Sequence, residues 1–381
     1  MNTNNKNDFK SVYVSSRARD NILKYKYTGC DSSFISIHIM NHFWNWFVNL
    51  FPRSFAPNLI TLFGFISIIV SYFVTLYYMD RMNGVAPKWL YLFNALCIFI
   101  YQTMDACDGK QARRVQASSG LGELFDHGCD AMITYLVMQT FQSSLQVGVN
   151  QISFFTTLWI MYVFFMAQLE QYSTGVMNLG HFGPTESQFS MMAGHIFTFF
   201  YGEQFWFNTI KFESFEIQYN HLVLLVVILG GVGTILLNTF SILKNGNESI
   251  LTNIINLVPI SILLGVSIYW GKYSTVNIFE TAPHYFMGIF GILFALVTGK
   301  LILARICMDK LSPIQLIMLP LIAVILNIYK FNGELFDEIL FTKVYFFVVF
   351  IVYIHFAYDV VTSLTKVLDI YCFTLKNKKQ T

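Results

Sequence analysis

Charge is scarce in this sequence: only 12% of its 381 residues are Asp, Glu, Lys or Arg, where soluble domains carry about a quarter. With 55% hydrophobic residues beside it, that scarcity excludes an ordinary soluble domain and reads as an integral membrane protein. Paired cysteines are missing too. The six cysteines, at 30, 97, 107, 129, 307 and 372, form no CxxC unit, so neither a disulfide framework nor a zinc site is expected. Residues 1 to about 24 are polar and basic with no apolar run, which excludes a cleavable signal peptide and gives no order to assert there. The net charge of +2 says little about nucleic acid, because the distribution of charge over the loops is what matters; no nucleic-acid partner is expected.

What the chain has instead is a series of hydrophobic runs near the twenty residues that cross a bilayer. They lie at about 58–79, 88–104, 128–148, 153–169, 188–207, 221–243, 250–270, 284–304, 313–328 and 343–363. The expected fold is therefore all-α and polytopic, with about ten transmembrane helices. Pro313 and Pro320 interrupt the ninth run. With the N-terminus in the cytoplasm, only Arg81, Lys88, Lys211, Lys272, Lys330 and Lys343 fall on the far side, leaving 18 of the 24 Lys and Arg inside. That asymmetry obeys the positive-inside rule. It puts the segment between the second and third runs in the cytoplasm.

That segment, DACDGKQARRVQASSGLGELFDHGCD at 105–130, gathers Asp105, Asp108, Asp126 and Asp130. If the two pairs lie on helices, a spacing of three and a spacing of four each put both carboxylates on one face. The segment then reads as a helical hairpin turned by QASSG, with two carboxylate pairs face to face. Anions so close need counter-charge, and hard divalent cations supply it: Mg²⁺ or Mn²⁺ takes carboxylate oxygens and leaves positions for phosphate. Two such ions about 3.5–4 Å apart stabilise both attacking and leaving oxygens in a phosphoryl displacement. Gly109 and Gly122 let phosphates approach the backbone. Arg113 adds a planar cation suited to phosphate oxygens.

Written out, the pattern is D-x2-D-G-x2-A-R-x8-G-x3-D-x3-D, carried by Asp105, Asp108, Gly109, Ala112, Arg113, Gly122, Asp126 and Asp130. It resembles the signature of the CDP-alcohol phosphotransferase family at every position. GELFDHGCD at 122–130 and APNLITLFG at 56–64 are similar to its choline/ethanolamine phosphotransferase branch, and the resemblance runs from about Tyr25 to the C-terminus. It implies transfer of phosphocholine or phosphoethanolamine from CDP-choline or CDP-ethanolamine to diacylglycerol, releasing CMP, with two ions of Mg²⁺ or Mn²⁺. Asp105, Asp108, Asp126 and Asp130 are then the metal ligands, and Gly109, Ala112, Arg113 and Gly122 line the CDP site. Asn58 joins them, because the family's matching asparagine faces the nucleotide; as a helix cap it would serve equally well. His127 is the candidate base, since a neutral imidazole takes a proton near pH 7, and Asp130 is its rival. Glu186, in GPTE at 183–186, is a further candidate for the base or for contact with a cationic head group.

The rest is organised around this motif. Residues 1–30 read as a polar cytoplasmic start, 31–365 as one transmembrane domain and 366–381 as a basic tail. Asp31 is placed to cap an amphipathic helix over 32–51 lying in the interface, with His38, Asn41, His42, Asn45 and Asn49 on its wet face. Beyond residue 190 the spans carry little chemistry and could line a lipid path or a homodimer interface. His195, His355 and Asp359 read as structural polar contacts. Lys378 and Lys379 resemble a dilysine signal of the endoplasmic reticulum, with the Golgi as the other station. Two other readings are weighed. An enzyme using CDP-diacylglycerol and a polar alcohol would share only the motif and about six spans. A divalent-cation transporter would hold its carboxylates near the midplane, whereas these sit at a cytoplasmic edge.

Overall fold

Each hydrophobic run is a helix in the computed structural model, which describes residues 11–180, 182–211 and 213–376. Among the described residues the long helices are α3 (Pro57–Tyr78), α4 (Trp89–Arg114), α5 (Gly120–Ser144), α6 (Gln151–Thr174), α7 (Pro184–Tyr201), α8 (Tyr219–Asn245), α9 (Ile250–Tyr273), α11 (Pro283–Ile306), α12 (Pro320–Phe331) and α13 (Glu338–Leu368). Seven are long and apolar enough to cross a membrane, namely α3, α4, α6, α8, α9, α11 and α13. The other three differ for visible reasons. The first turns of α5 carry Glu123, Asp126, His127 and Asp130; α7 opens on PTESQ; and α12 has 12 residues because it starts at Pro320, seven residues later than the run suggested.

Helix starts are fixed by local caps. Ser119 accepts from the N–H of Gly122 at the head of α5, and Asn150 from Ile152 and Ser153 at the head of α6. α3 begins with Ala56 in extended conformation and Pro57 in its first turn, so Asn58 lies just inside the helix and is not its cap. Among the described residues four short strands also form. β1 (Gly29–Cys30) pairs in parallel with β2 (Met177–Asn178), and β3 (Thr209–Lys211) antiparallel with β4 (Glu216–Gln218).

The polar start holds more structure than its composition suggests. α1 (Ser16–Ile22) buries Ala18 and Ile22, with Val14, against Leu121 and Leu124 of α5, Leu296 and Ile302 of α11 and Val360 of α13. Asp359 accepts from Ser11 Oγ at 2.6 Å and from the N–H groups of Val12 and Tyr13, both at 3.1 Å. Three apolar residues spaced by four suffice for this docking. Residues 1–10 and the Lys378–Lys379 pair lie outside the described residues.

The segment expected as a helix over 32–51 folds as consecutive short helical stretches with α2 (Asn41–Phe47) at their centre, and Asp31 accepts from Ser33 N–H at 2.9 Å. Its buried stripe is Ser36, Met40, Trp44 and Val48, while Ile39, Trp46 and Leu50 are exposed. The last turn of α4 clasps it. Lys110 donates to Asn41 Oδ1 (2.5 Å) and Asn45 Oδ1 (2.8 Å), and Arg114 to the carbonyls of Val48 (3.1 Å) and Phe51 (2.9 Å).

The core centres on α11, enclosed over nearly its whole length, with α5, α6, α9 and α13 packed on it. α8 and α13 instead present residues such as Leu229, Leu236, Val344 and Ile351 outward, as helix faces in acyl chains do. α3 crosses α4 closely at Gly64, where a Cβ would stand 2.9 Å from Met104 Cβ and 3.3 Å from the Tyr101 carbonyl. Met104 directly precedes Asp105, so this crossing fixes the height of the aspartates. Gly64→Ala is expected to lower stability by about 1–3 kcal/mol through overpacking, measured as thermal unfolding in detergent. An unchanged transition would mean that the two helices have room to spare.

Candidate active site

The hairpin is made of α4 and α5, and it brings the four aspartates together. α4 continues ten residues beyond its apolar run, to Arg114, and carries Asp105 and Asp108 in that extension; α5 starts at Gly120 and carries Asp126 and Asp130. Oxygens of Asp105, Asp108 and Asp126 lie within 4.8 Å of one another, as do ligand atoms of Asp126, His127 and Asp130. Asp126 belongs to both groups. Asp108 accepts a hydrogen bond from the Thr61 hydroxyl, and Asp130 one from the Tyr101 hydroxyl.

The donor set suits a hard divalent cation. Asp126 Oδ1 is buried without a hydrogen-bond partner, a position costly for a carboxylate oxygen unless a cation meets it. Asp105, Asp108, Asp126 and Asp130 could hold such ions, with His127 at the edge.

The residues expected around a nucleotide fall into two places beside the carboxylates. Arg113 is exposed at the end of α4, its Nη1 3.5 Å from where a Cβ on Gly109 would stand, which places the guanidinium beside that glycine. Ala112 precedes it on the same helix. Asn58 Oδ1 is 3.6 Å from where a Cβ on Gly122 would stand, which joins the start of α3 to the start of α5. Glu186 is engaged by backbone. Its Oε1 accepts from Ile35 N–H (2.9 Å) and its Oε2 from Gly183 N–H (3.1 Å), so it ties the interfacial segment to the first turn of α7. The structure gives it a capping role where the sequence offered a base or a head-group contact, because a carboxylate at a helix start is drawn to unpaired N–H groups.

His127 is buried, with Nδ1 3.9 Å from Glu123 Oε1 and Nε2 4.0 Å from Asp126 Oδ2. Glu123 is the residue that sequence reasoning missed. It pairs with Arg305 at the end of α11, the side chains being 6% and 7% exposed, and it accepts from Tyr25 Oη and from Gln171 Nε2 (3.0 Å). Arg305 also donates to Tyr25 Oη at 2.8 Å. Burial pushes the Tyr25 phenol well above its ordinary value; Arg305 opposes that shift and Glu123 adds to it, so the hydroxyl stays a neutral donor. Two signals were available: Glu123 lies four residues before His127 on one helix face, and Arg305 is a cation ending an apolar span.

Arg305→Met is expected to cost about 3–5 kcal/mol, because it strands a buried charge on Glu123. Adding Glu123→Gln should return part of the loss in the same thermal unfolding assay. A single variant as stable as the parent chain would mean that water reaches this pair.

A family model for CDP-alcohol phosphatidyltransferases matches residues 54–223, which include the whole hairpin. Choline/ethanolaminephosphotransferase 1 of Arabidopsis thaliana is 31% identical, over 96% of this chain and 99% of that protein. Cholinephosphotransferase 1 of Rattus norvegicus is 33% identical over 71% of this chain and 69% of its own. Choline/ethanolaminephosphotransferase 1 of Saccharomyces cerevisiae is 28% identical over 95% and 97%.

Proposed function

This chain belongs to the CDP-alcohol phosphatidyltransferase family, and on that premise we propose that it moves phosphocholine or phosphoethanolamine from the CDP ester to the hydroxyl of diacylglycerol. It is a multi-pass membrane transferase. The observation that carries the reading is the pair of aspartate groups sharing Asp126, whose Oδ1 is buried and unpartnered. The names of the relatives supply the substrate class.

In the proposed reaction the alcohol oxygen attacks the phosphorus bearing the head group, the bond from that phosphorus to the bridging oxygen breaks, and CMP leaves. Two Mg²⁺ or Mn²⁺ ions, held by Asp105, Asp108, Asp126 and Asp130, would neutralise the diphosphate and stabilise the attacking and leaving oxygens. Thr61 and Tyr101 orient Asp108 and Asp130. Arg113 binds phosphate oxygens beside Gly109, while Asn58 and Gly122 take the nucleoside side. His127 Nε2 accepts the hydroxyl proton, with Glu123 Oε1 3.9 Å from Nδ1 to favour the imidazolium that forms. Both oxygens of Glu186 are engaged by backbone, which leaves Asp130 as the rival base.

The proposed setting is the endoplasmic reticulum membrane with the aspartates toward the cytoplasm. The distribution of Lys and Arg and the Lys378–Lys379 end support it.

The purified protein, given diacylglycerol with CDP-choline or CDP-ethanolamine, is expected to release CMP and the matching phospholipid. Turnover of CDP-diacylglycerol with a polar alcohol, and of neither CDP ester, would contradict the proposal. Asp105→Asn, Asp108→Asn and Asp126→Asn should each abolish turnover while the protein stays folded, and a chelator should stop the parent enzyme until Mg²⁺ or Mn²⁺ is restored. Full turnover in chelator would sink the metal reading.

The base is assigned by comparing two substitutions. His127→Ala should lower kcat about 10²–10⁴-fold with metal affinity nearly intact. Asp130→Asn should weaken metal binding as well, with partial rescue by more metal. If His127→Ala keeps most of its rate, the proton goes elsewhere and Asp130 takes the role.

A further inference from the structure

The last described stretch of the chain returns to the site. α13 ends at Leu368, and the left-handed backbone of Asp369 just after it (φ 53°) turns the chain off the helix axis, with Lys376 pairing back to Asp369. Between these two residues, Cys372 Sγ accepts a hydrogen bond from Asn58 Nδ2 at 3.6 Å. Phe373 packs edge-on against Phe125, ring centroids 5.5 Å apart at 81°. Phe125 directly precedes Asp126, and Asn58 lies beside Gly122. The tail therefore touches one residue read as facing the nucleotide and the neighbour of the shared aspartate.

Its chemistry fits a nucleoside better than a phosphate. The described tail residues nearest the site, Tyr371, Cys372, Phe373 and Thr374, carry no charge, whereas the carboxylates with their ions and Arg113 form the ionic half. Aromatic rings give a planar base a stacking surface worth about 1–3 kcal/mol. A thiol sulfur is a weak acceptor, so the Asn58 amide keeps a donor for a stronger oxygen.

We propose that the C-terminal tail, residues 370–376, forms the outer wall of the nucleotide pocket and closes over the cytidine half of a bound CDP-alcohol, with Phe373 anchored on Phe125. This rests on the reading of the site as one for CDP-alcohols. Cys372 sits at the seam. It is partly exposed, as is Cys129, while Cys97, Cys107 and Cys307 are buried, so thiol labelling reports on this seam when it is read at the peptide that carries Cys372.

The test labels full-length, Mg²⁺-loaded protein with N-ethylmaleimide, with and without CMP, and follows Cys372 by peptide mass spectrometry while radiolabelled CMP reports binding to the same sample. CMP at about ten times its Kd leaves roughly a tenth of the sites open, so labelling of Cys372 is expected to slow about tenfold. Phe373→Ala, which leaves Asn58 and the aspartates in place, should raise KM for the CDP ester about three- to tenfold, from the loss of one aromatic contact, with kcat little changed. CMP binding with unchanged Cys372 labelling, or an unchanged KM in Phe373→Ala, overturns the role of the tail and leaves the reading of the site standing. Absence of CMP binding overturns both.

Discussion

Four carboxylates gathered in two groups that share Asp126, the ligand atoms of each group within 4.8 Å of one another, repel, and the rest of the structure depends on how that repulsion is met. Asp105, Asp108, Asp126 and Asp130 are gathered at the end of α4 and the start of α5, beside the long, apolar membrane-crossing helices α3 and α4. Protein donors answer only part of the cost: Thr61 serves Asp108, Tyr101 serves Asp130, and Asp126 keeps a buried oxygen without a partner. In the proposed reading, divalent cations would offset the remainder and would also supply affinity for a diphosphate. One arrangement thus explains both the stability problem and the chemistry.

The supporting architecture keeps that arrangement from relaxing. α3 locks onto α4 at Gly64, one residue short of Asp105 in the facing helix. Lys110, Gln111 and Arg114 hold the interfacial segment against the same turn of α4. On the α5 side, Glu123 is held by Arg305 from α11, Gln171 from α6 and Tyr25 from the N-terminal strand region. Helices of the C-terminal half, beyond the matched residues 54–223, therefore contribute directly to the ground on which His127 stands.

Much of this could be read from residues alone because it rests on local periodicity. The hydrophobic runs gave the long helices, and spacings of three and four gave the paired carboxylates. What stayed hidden depends on partners distant in sequence. Arg305 and Glu123 are 182 residues apart, and neither spacing nor composition announces their pairing. Glu186 looked chemical beside GPTE, yet backbone N–H groups of Ile35 and Gly183 claim it. α1 was hidden for a related reason: three small or apolar residues among polar ones form a face only once α5 and α13 are there to receive it.

Electron paramagnetic resonance of the purified protein titrated with Mn²⁺ in the presence of CMP measures the central claim directly. Two bound ions per chain with spin coupling between them are expected, because the two aspartate groups share Asp126. A chain that binds no Mn²⁺ yet still turns over a CDP ester would contradict it.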